Sequence, residues 1–351
     1  MTQERPQFSV CIPAYNRAQL LPPLLDSIFA QNYKNFNVVI CEDSSRERAQ
    51  IAVIARAYAE RYPDTVFYYD NKANLGYDAN IRNLVEKANG EFCFFMGNDD
   101  LMCPGALATV ADVLTRYENV GIVLRSYAWF DSDPENINQE IRYFTEERFF
   151  SAGPEAIKTC FRRSGVISGY VVHRETAVTA ATDKFDGTLF YQMHLTANVL
   201  AVKNAAITPK VLILCRGSEP YEFGNSPAEQ GKHTPGTITP LTRVTMIAGV
   251  LSIVKELRNT KGIDVVDDVM RDYANYFYPY VRDQLDLPLS EFIELYRSLG
   301  KMGFSRYPMF HLYCLGGYAL GSRNCDSVTR SIRSLLGRSP QFGNIKQSGS
   351  F

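Results

Sequence analysis

The sequence predicts an α/β fold: a mostly parallel sheet flanked by helices, followed by a helical C-terminal region. Three observations predict it. Before about residue 125, short apolar runs alternate four times with segments of helical periodicity. Those runs are apolar at nearly every position, as strands covered on both faces are. After about residue 241 the pattern is helical.

Each element has its own signal. The run Phe8 to Pro13 reads as a strand, and Leu20, Leu21, Leu24, Leu25 and Ile28 then recur at helical spacing. Asn37 to Cys41 is a second strand, followed by a helix from Ile51 to Tyr62. Val66 to Tyr69 and Asn80 to Ala88 form the third pair, and Glu91 to Met96 the fourth strand. Pro104 suits a helix start, with that helix running to about Tyr117 and a fifth strand from Val120 to Leu124. In the middle, Gly165 to His173 and Val211 to Cys215 look like strands, with helices near Glu155 and Tyr191. Residues 216–240, rich in Gly, Pro and Ser, read as a long loop, and helices are expected near 241–258, 264–286, 289–299 and 327–336.

The chain has 351 residues, 46% apolar and 21% charged, which is enough for a core without metal or disulfide staples. Its formal net charge of -1 argues against an overall electrostatic grip on nucleic acid. None of the eight cysteines has C-x-x-C spacing, so neither a zinc ribbon nor a redox pair is suggested; reduced, buried thiols in the cytoplasm are expected. The N-terminus shows no secretory h-region, and no stretch approaches the ~20 apolar residues of a membrane span.

Ligands of parallel sheets bind beyond the carboxyl ends of the strands. Three strand ends here carry polar groups: Tyr15-Asn16-Arg17, Glu42-Asp43 and Asn98-Asp99-Asp100. Adjacent carboxylates outside a buried strand suit a divalent cation shared with diphosphate oxygens, though the same tripeptide also suits an Asx-type turn. Asp43 is placed to accept from a base or ribose, or to cap the next helix. Asn74 to Gly76, with Asn80 beyond, opens the third helix, where amides meet a nucleotide or merely cap.

These segments, with Val10 to Asn16, Ser27 to Gln31, Asn37 to Ser44, Asn74 to Gly76 and Gly90 to Asp100 in one order, resemble the family 2 glycosyltransferases of the GT-A, Rossmann-like fold. The resemblance covers roughly residues 7–215. More narrowly, the chain is similar to bacterial enzymes of O-antigen and capsular polysaccharide assembly, abequosyltransferase-like members included. It implies a nucleotide-sugar donor, Mn²⁺ or Mg²⁺, a glycan or lipid-linked acceptor hydroxyl, and inversion at the anomeric carbon. By position, Pro13, Ala14, Tyr15, Asn16 and Arg17 line the nucleotide, with Gly76 and Asn80 beside it, and Asp43 meets the base. Asn98-Asp99-Asp100 stands at the family's D-x-D element, with Asp99 facing the ribose or sugar of the donor and Asp100 on the metal. Family members carry Glu-Asp, the proton-accepting pair, where this chain has Tyr191-Gln192. Asp186 is the nearest carboxylate and the expected base, with His194 as the alternative and Glu219, Glu222 and Glu229 as further candidates.

The expected organisation is a catalytic domain over 1–215, a lid loop over 216–240 and a helical region over 241–351. Arg216 and Lys232 of the loop are candidates to meet the diphosphate. Residues 301–351 carry seven basic residues (Lys301, Arg306, Arg323, Arg330, Arg333, Arg338 and Lys346) against Asp326 alone. Val328, Ile332, Leu335 and Leu336 recur at helical spacing among them, which suits peripheral contact with the inner face of the cytoplasmic membrane or packing of a terminal helix. Two rival functions remain at this point. A nucleotidyltransferase would want a Gly-rich basic phosphate loop after the first strand, which Pro13 to Asn16 lacks; a non-catalytic glycan- or nucleotide-binding relative draws support from the missing Glu-Asp pair.

Overall fold

Alternating side chains of the first strands divide two cores, which places the sheet between two helical layers. In the computed structural model, which describes residues 6–335 and 341–345, Phe8, Val10 and Ile12 of β1 (Phe8–Ala14) face one layer. There they meet α1 (Leu21–Phe29), α2 (Arg48–Arg61) and α4 (Ala106–Arg116). Cys11 faces the other layer, with α3 (Tyr77–Lys87), α5 (Pro154–Cys160) and α7 (Tyr191–Val199). α6 (Arg174–Thr179) packs beside α7.

β2 (Phe36–Glu42), β3 (Val66–Asp70) and β4 (Phe92–Phe95) join β1 in parallel, as the apolar runs predict, and the order is β3-β2-β1-β4. Beyond β4 the order departs from a simple repeat. β9 (Val171–His173) wedges in antiparallel between β4 and β6 (Val120–Phe130). β10 (Asn204–Arg216) runs parallel to β6, and the short β5 (Leu101–Met102) and β8 (Arg148–Phe150) pair antiparallel to it. β7 (Ile137–Ile141) lies antiparallel on β6, and Gln341–Ile345 pairs in turn with β7. Thus β1, β2, β3, β4, β6 and β10 all point one way and deliver their carboxyl ends to one rim.

The C-terminal helices include α8 (Pro240–Lys261), α9 (Val266–Asn275), the short α10 (Tyr278–Val281) and α11 (Leu289–Lys301). The helix expected over 264–286 is broken after Asn275, where Pro279 opens a new turn. α8 buries Ile247, Val250, Leu251 and Val254 in the same core as Leu195 and Val199 of α7. The helical region is therefore packed onto the sheet layer rather than set apart. A last helix, Gly317–Leu335, is kinked at Gly321 (φ 73°). Of the basic tail, Arg306 pairs with Asp267, while Leu336, Arg338 and Lys346 lie outside the described residues. All eight cysteines are buried, and none of them forms a disulfide among the described residues.

Candidate active site

A cavity of about 370 Å³ opens at the rim where β1, β2 and β4 end. Its walls include Pro13, Tyr15 and Arg17 after β1, Asp43 after β2, and Asn98, Asp99 and Asp100 after β4. Gly76 and Asn80 at the start of α3 complete that side. Asp43 and Asp100 thus share one cavity. Ala14 and Asn16 stand behind it: the Ala14 carbonyl accepts from Asp43 N (3.0 Å), and the Asn16 carbonyl accepts from Asn98 Nδ2 (2.9 Å).

Asp43 is a hub rather than a cap for the helix that follows it. Its Oδ1 accepts from Leu75 N and Asn71 Nδ2, both 2.8 Å, and its Oδ2 from Gly76 N at 2.9 Å. Burial pushes its pKa up against the pull of these donors. The turn Asn74–Gly76 is thereby pinned, and Gly76 takes φ 88°, where a Cβ would lie 2.4 Å from Ser226 Oγ. Asn80 also braces the rim, donating to the Cys41 carbonyl (3.2 Å) and accepting from Asn71 (3.1 Å).

Asp99 and Asp100 are the electrostatic centre. Asp99 Oδ2 accepts from Arg17 Nη1 at 2.6 Å. Asp100 Oδ1 accepts from Arg216 N at 2.8 Å, and its Oδ2 meets Ser168 Oγ. Burial, with the charge of Asp99 beside it, pushes the Asp100 carboxyl up to about 7. Two crowded carboxylates with this strain fit one divalent cation, which would be held by Asp99 and Asp100 and completed by diphosphate oxygens. Among the described residues no three His, Cys, Asp or Glu side chains converge, so the protein's share of such a site is these two groups.

A support for this pair is absent from the sequence reading. Arg125, fully buried in β6, donates through Nη2 to the carbonyls of Val166 (3.2 Å) and Ser168. It thereby holds residues 165–169 under the carboxylates, so Gly165 to Gly169 is a turn and only Val171–His173 is strand. Ser168 Oγ accepts from Gly97 N (2.7 Å) and so ties the end of β4 to that turn. The available signal was a lone arginine directly after the apolar run Val120 to Leu124.

The loop over 216–240 covers the cavity and is anchored. Glu229, buried, accepts from Tyr77 N (2.9 Å) and Gly224 N (2.7 Å). Lys232 donates to the Asp186 carbonyl (2.9 Å), and His233 Nε2 meets the Gly187 carbonyl (2.8 Å). Neither Lys232 nor Arg216 lines the cavity; Arg17 is the basic residue that does. Nearer its start the loop meets the rim through Arg216, which donates to Asp100 Oδ1 (2.8 Å) and the Asp99 carbonyl (3.2 Å), through Pro220, whose carbonyl accepts from Arg17, and through Glu222, whose Oε2 accepts from Asn16 Nδ2 (3.1 Å).

Asp186 and His194, the first two candidates to take the acceptor proton, lie outside the cavity walls. Asp186 does not line the cavity; Arg82 engages both its oxygens, at 2.6 and 2.8 Å. His194 packs against Phe185 and Tyr191, with Nε2 on the Ala180 carbonyl at 2.7 Å, and burial lowers its pKa. Gln192 does line the cavity, donating to the Gly165 carbonyl (2.9 Å). Glu219 is absent from the walls, while Glu222 and Glu229 are present.

Residues 9–168 match the family model Glycosyl transferase family 2. Residues 9–168 are thus similar to glycosyl transferase family 2. The chain is 33% identical over 106 residues to abequosyltransferase RfbV of Salmonella typhimurium, a match spanning 30% of this chain and 32% of that relative. The fold is similar to TarS of S. aureus solved with UDP, with TM-score 0.61 and 14% identity over 98% of both chains. It is also similar to the mannosyltransferase PcManGT of Pyrobaculum calidifontis, solved with GDP-Man and Mn²⁺, with TM-score 0.51 and 14% identity over 96% of this chain and 89% of that one.

The Asp100 shift gives a signed prediction. Its pKa rises from the ordinary 3.8 to about 7, so the metal-free folded protein keeps a proton that the unfolded chain has released. That contribution is whole below about pH 4 and is lost as pH rises through about 7. Relative to Asp100→Asn, the melting temperature of the parent protein should fall between about pH 5 and pH 8. Added Mn²⁺ should restore the parent at the higher pH and leave the variant unmoved; equal pH slopes would contradict the assignment.

Proposed function

We propose that the chain is a metal-dependent, inverting glycosyltransferase. It moves a hexose or deoxyhexose from a nucleotide sugar to a hydroxyl of a glycan or lipid-linked acceptor during surface-polysaccharide assembly. The observation that carries this reading is one cavity ringed by Asp43, Arg17, Asp99 and Asp100 at the carboxyl rim of parallel strands. Asp43 presents its carboxylate where a nucleobase enters, with the amides of the 74–76 turn fixed around it. Arg17 is the cation beside the diphosphate position, exchanging Asp99 for phosphate oxygens as donor arrives. Mn²⁺ or Mg²⁺ held by Asp99 and Asp100 would supply Lewis-acid stabilisation of the leaving diphosphate.

A base must take the acceptor proton. Of the carboxylates in the cavity walls, Asp43 and Glu229 are engaged by backbone amides, and Asp99 and Asp100 stand at the metal end. Glu222 is the remaining one, positioned through Asn16, and we assign it this role. A second reading, binding without transfer, is favoured by Gln192 at the place where the family carries its carboxylate. Nucleoside diphosphate release from a panel of UDP-, GDP-, CDP- and dTDP-sugars with Mn²⁺, with and without glycan acceptors, separates the two. Glu222→Gln should lower kcat about 10²-fold or more while KM for donor changes little. Turnover unchanged in that variant would remove Glu222, and no release from any donor would favour the binding reading.

The segment 217–222 acts as the lid, with Glu229, Lys232 and His233 fixing the rest of the loop. Closure over the donor would exclude water, whose attack is the competing reaction. Proteolytic nicking within 217–222 should slow when nucleotide and Mn²⁺ are added; equal rates would rule out closure.

The enzyme would work at the inner face of the cytoplasmic membrane. No described helix is long and apolar enough to cross a membrane. Leu312, Leu315, Leu320 and Val328 are 44–60% exposed along one stretch that also carries Arg323, which suits shallow insertion beside anionic headgroups. The full chain should co-sediment with phosphatidylglycerol vesicles, and Leu312→Ser combined with Leu315→Ser and Leu320→Ser should abolish it. Equal sedimentation of both proteins would contradict this placement.

A further inference from the structure

A second, larger cavity of about 600 Å³ adjoins the donor cavity. The two share Gly165, Phe190 and Met246 in their walls. The second cavity lies between the outer strands β6 and β7 and the helical region. From the sheet come Tyr127 and Trp129, and after β7 comes Tyr143; from the helical region come Tyr276 and Tyr280. Tyr127 meets Trp129 and Tyr143 edge to face, at centroid distances of 5.9 and 6.3 Å, while Arg125 lies over the Tyr127 ring (5.0 Å) and Arg163 over the Tyr143 ring (5.8 Å).

The polar part of the wall is balanced. Arg162, Arg243 and Arg282 each line the cavity, and each is paired with a carboxylate: Asp272, Asp283 and Asp326, all at 2.7 Å. Arg162 also lies over the Tyr276 ring at 4.4 Å. Arg243 Nε is buried with no acceptor among the described residues, although Nη2 is engaged. Gln139 of β7 adds an amide.

This wall selects among ligand classes. An acyl chain would leave three charged pairs facing hydrocarbon, at a desolvation cost. A multiply charged anion would have to compete with three carboxylates already on the arginines. A neutral ring with an apolar face and an equatorial belt of hydroxyls suits both parts: its C–H face lies on an aromatic ring, and its hydroxyls meet the charged and amide groups at the edge. We propose that this cavity binds a pyranose, and that it is the acceptor sugar whose hydroxyl passes Phe190 to reach the donor. That the sugar is an acceptor rests on the transferase reading above; that the cavity takes a pyranose rests on its own walls.

Trp129 is the only tryptophan in the chain and stands in this wall, so its emission responds to a ligand entering the cavity. The full-length protein would be titrated, without nucleotide, with the methyl glycosides of glucose, galactose, mannose, rhamnose and N-acetylglucosamine, and separately with octyl phosphate. The expected result is a saturable change in Trp129 emission with at least one glycoside. Tyr276→Ala should weaken that binding by at least about fivefold. Gln139→Ala, on a partly exposed strand, should also weaken it, and serves where loss of the Tyr276 ring impairs folding. Binding of nucleoside diphosphate with Mn²⁺, read by calorimetry on the same variants, should stay unchanged, which separates failure of this cavity from failure of the donor site. No saturable response to any glycoside, a response to octyl phosphate alone, or glycoside binding indifferent to both substitutions would each overturn the proposal.

Discussion

Two neighbouring carboxylates at the end of a buried strand are the constraint that organises this molecule. Asp99 and Asp100 repel one another and are largely withdrawn from water, a costly arrangement unless something positive or hydrogen-bonded meets them. The fold answers with Arg17 from β1, the Ser168 hydroxyl from the turn before β9, and the Arg216 amide at the end of β10. Four chain segments are thus drawn to one point. What the protein leaves unneutralised is the demand a divalent cation and a diphosphate together would fill.

The supports behind that point are unusual for a sheet of this kind. Arg125 sits fully buried in a strand that otherwise reads as core, its charge directed at two main-chain carbonyls. Gly169 makes room for it: with φ 75°, a Cβ there would stand 2.6 Å from Arg125 Nε. On the opposite wall Glu229 reaches from the long loop to the first amide of α3, so the loop is fastened to the same turn that Asp43 pins. The rim cavity, loop and helical region therefore share mechanical attachments, and the second cavity lies where sheet and helical region meet.

β1, β2, β3, β4 and the first half of β6 were legible in sequence because they are continuous apolar runs, and the rim because polar residues follow those runs abruptly. The elements that were not legible depend on distant partners. Gly165 to His173 has strand composition, yet its first half bends under Asp100 because Arg125, some forty residues earlier, captures its carbonyls. Asp186 is near the expected base position in sequence, but Arg82, 104 residues away, occupies both oxygens. The Tyr127, Trp129, Tyr276 and Tyr280 wall is invisible in a linear reading, since its halves are brought together only when the C-terminal helices pack on the sheet.

Calorimetric binding of a nucleoside diphosphate, with and without Mn²⁺, tests the role of the aspartate pair most directly. The account predicts that Mn²⁺ strengthens binding to the parent protein and has no such effect in Asp100→Asn. Binding that is equally tight without metal, or a metal effect that survives in the variant, would contradict it.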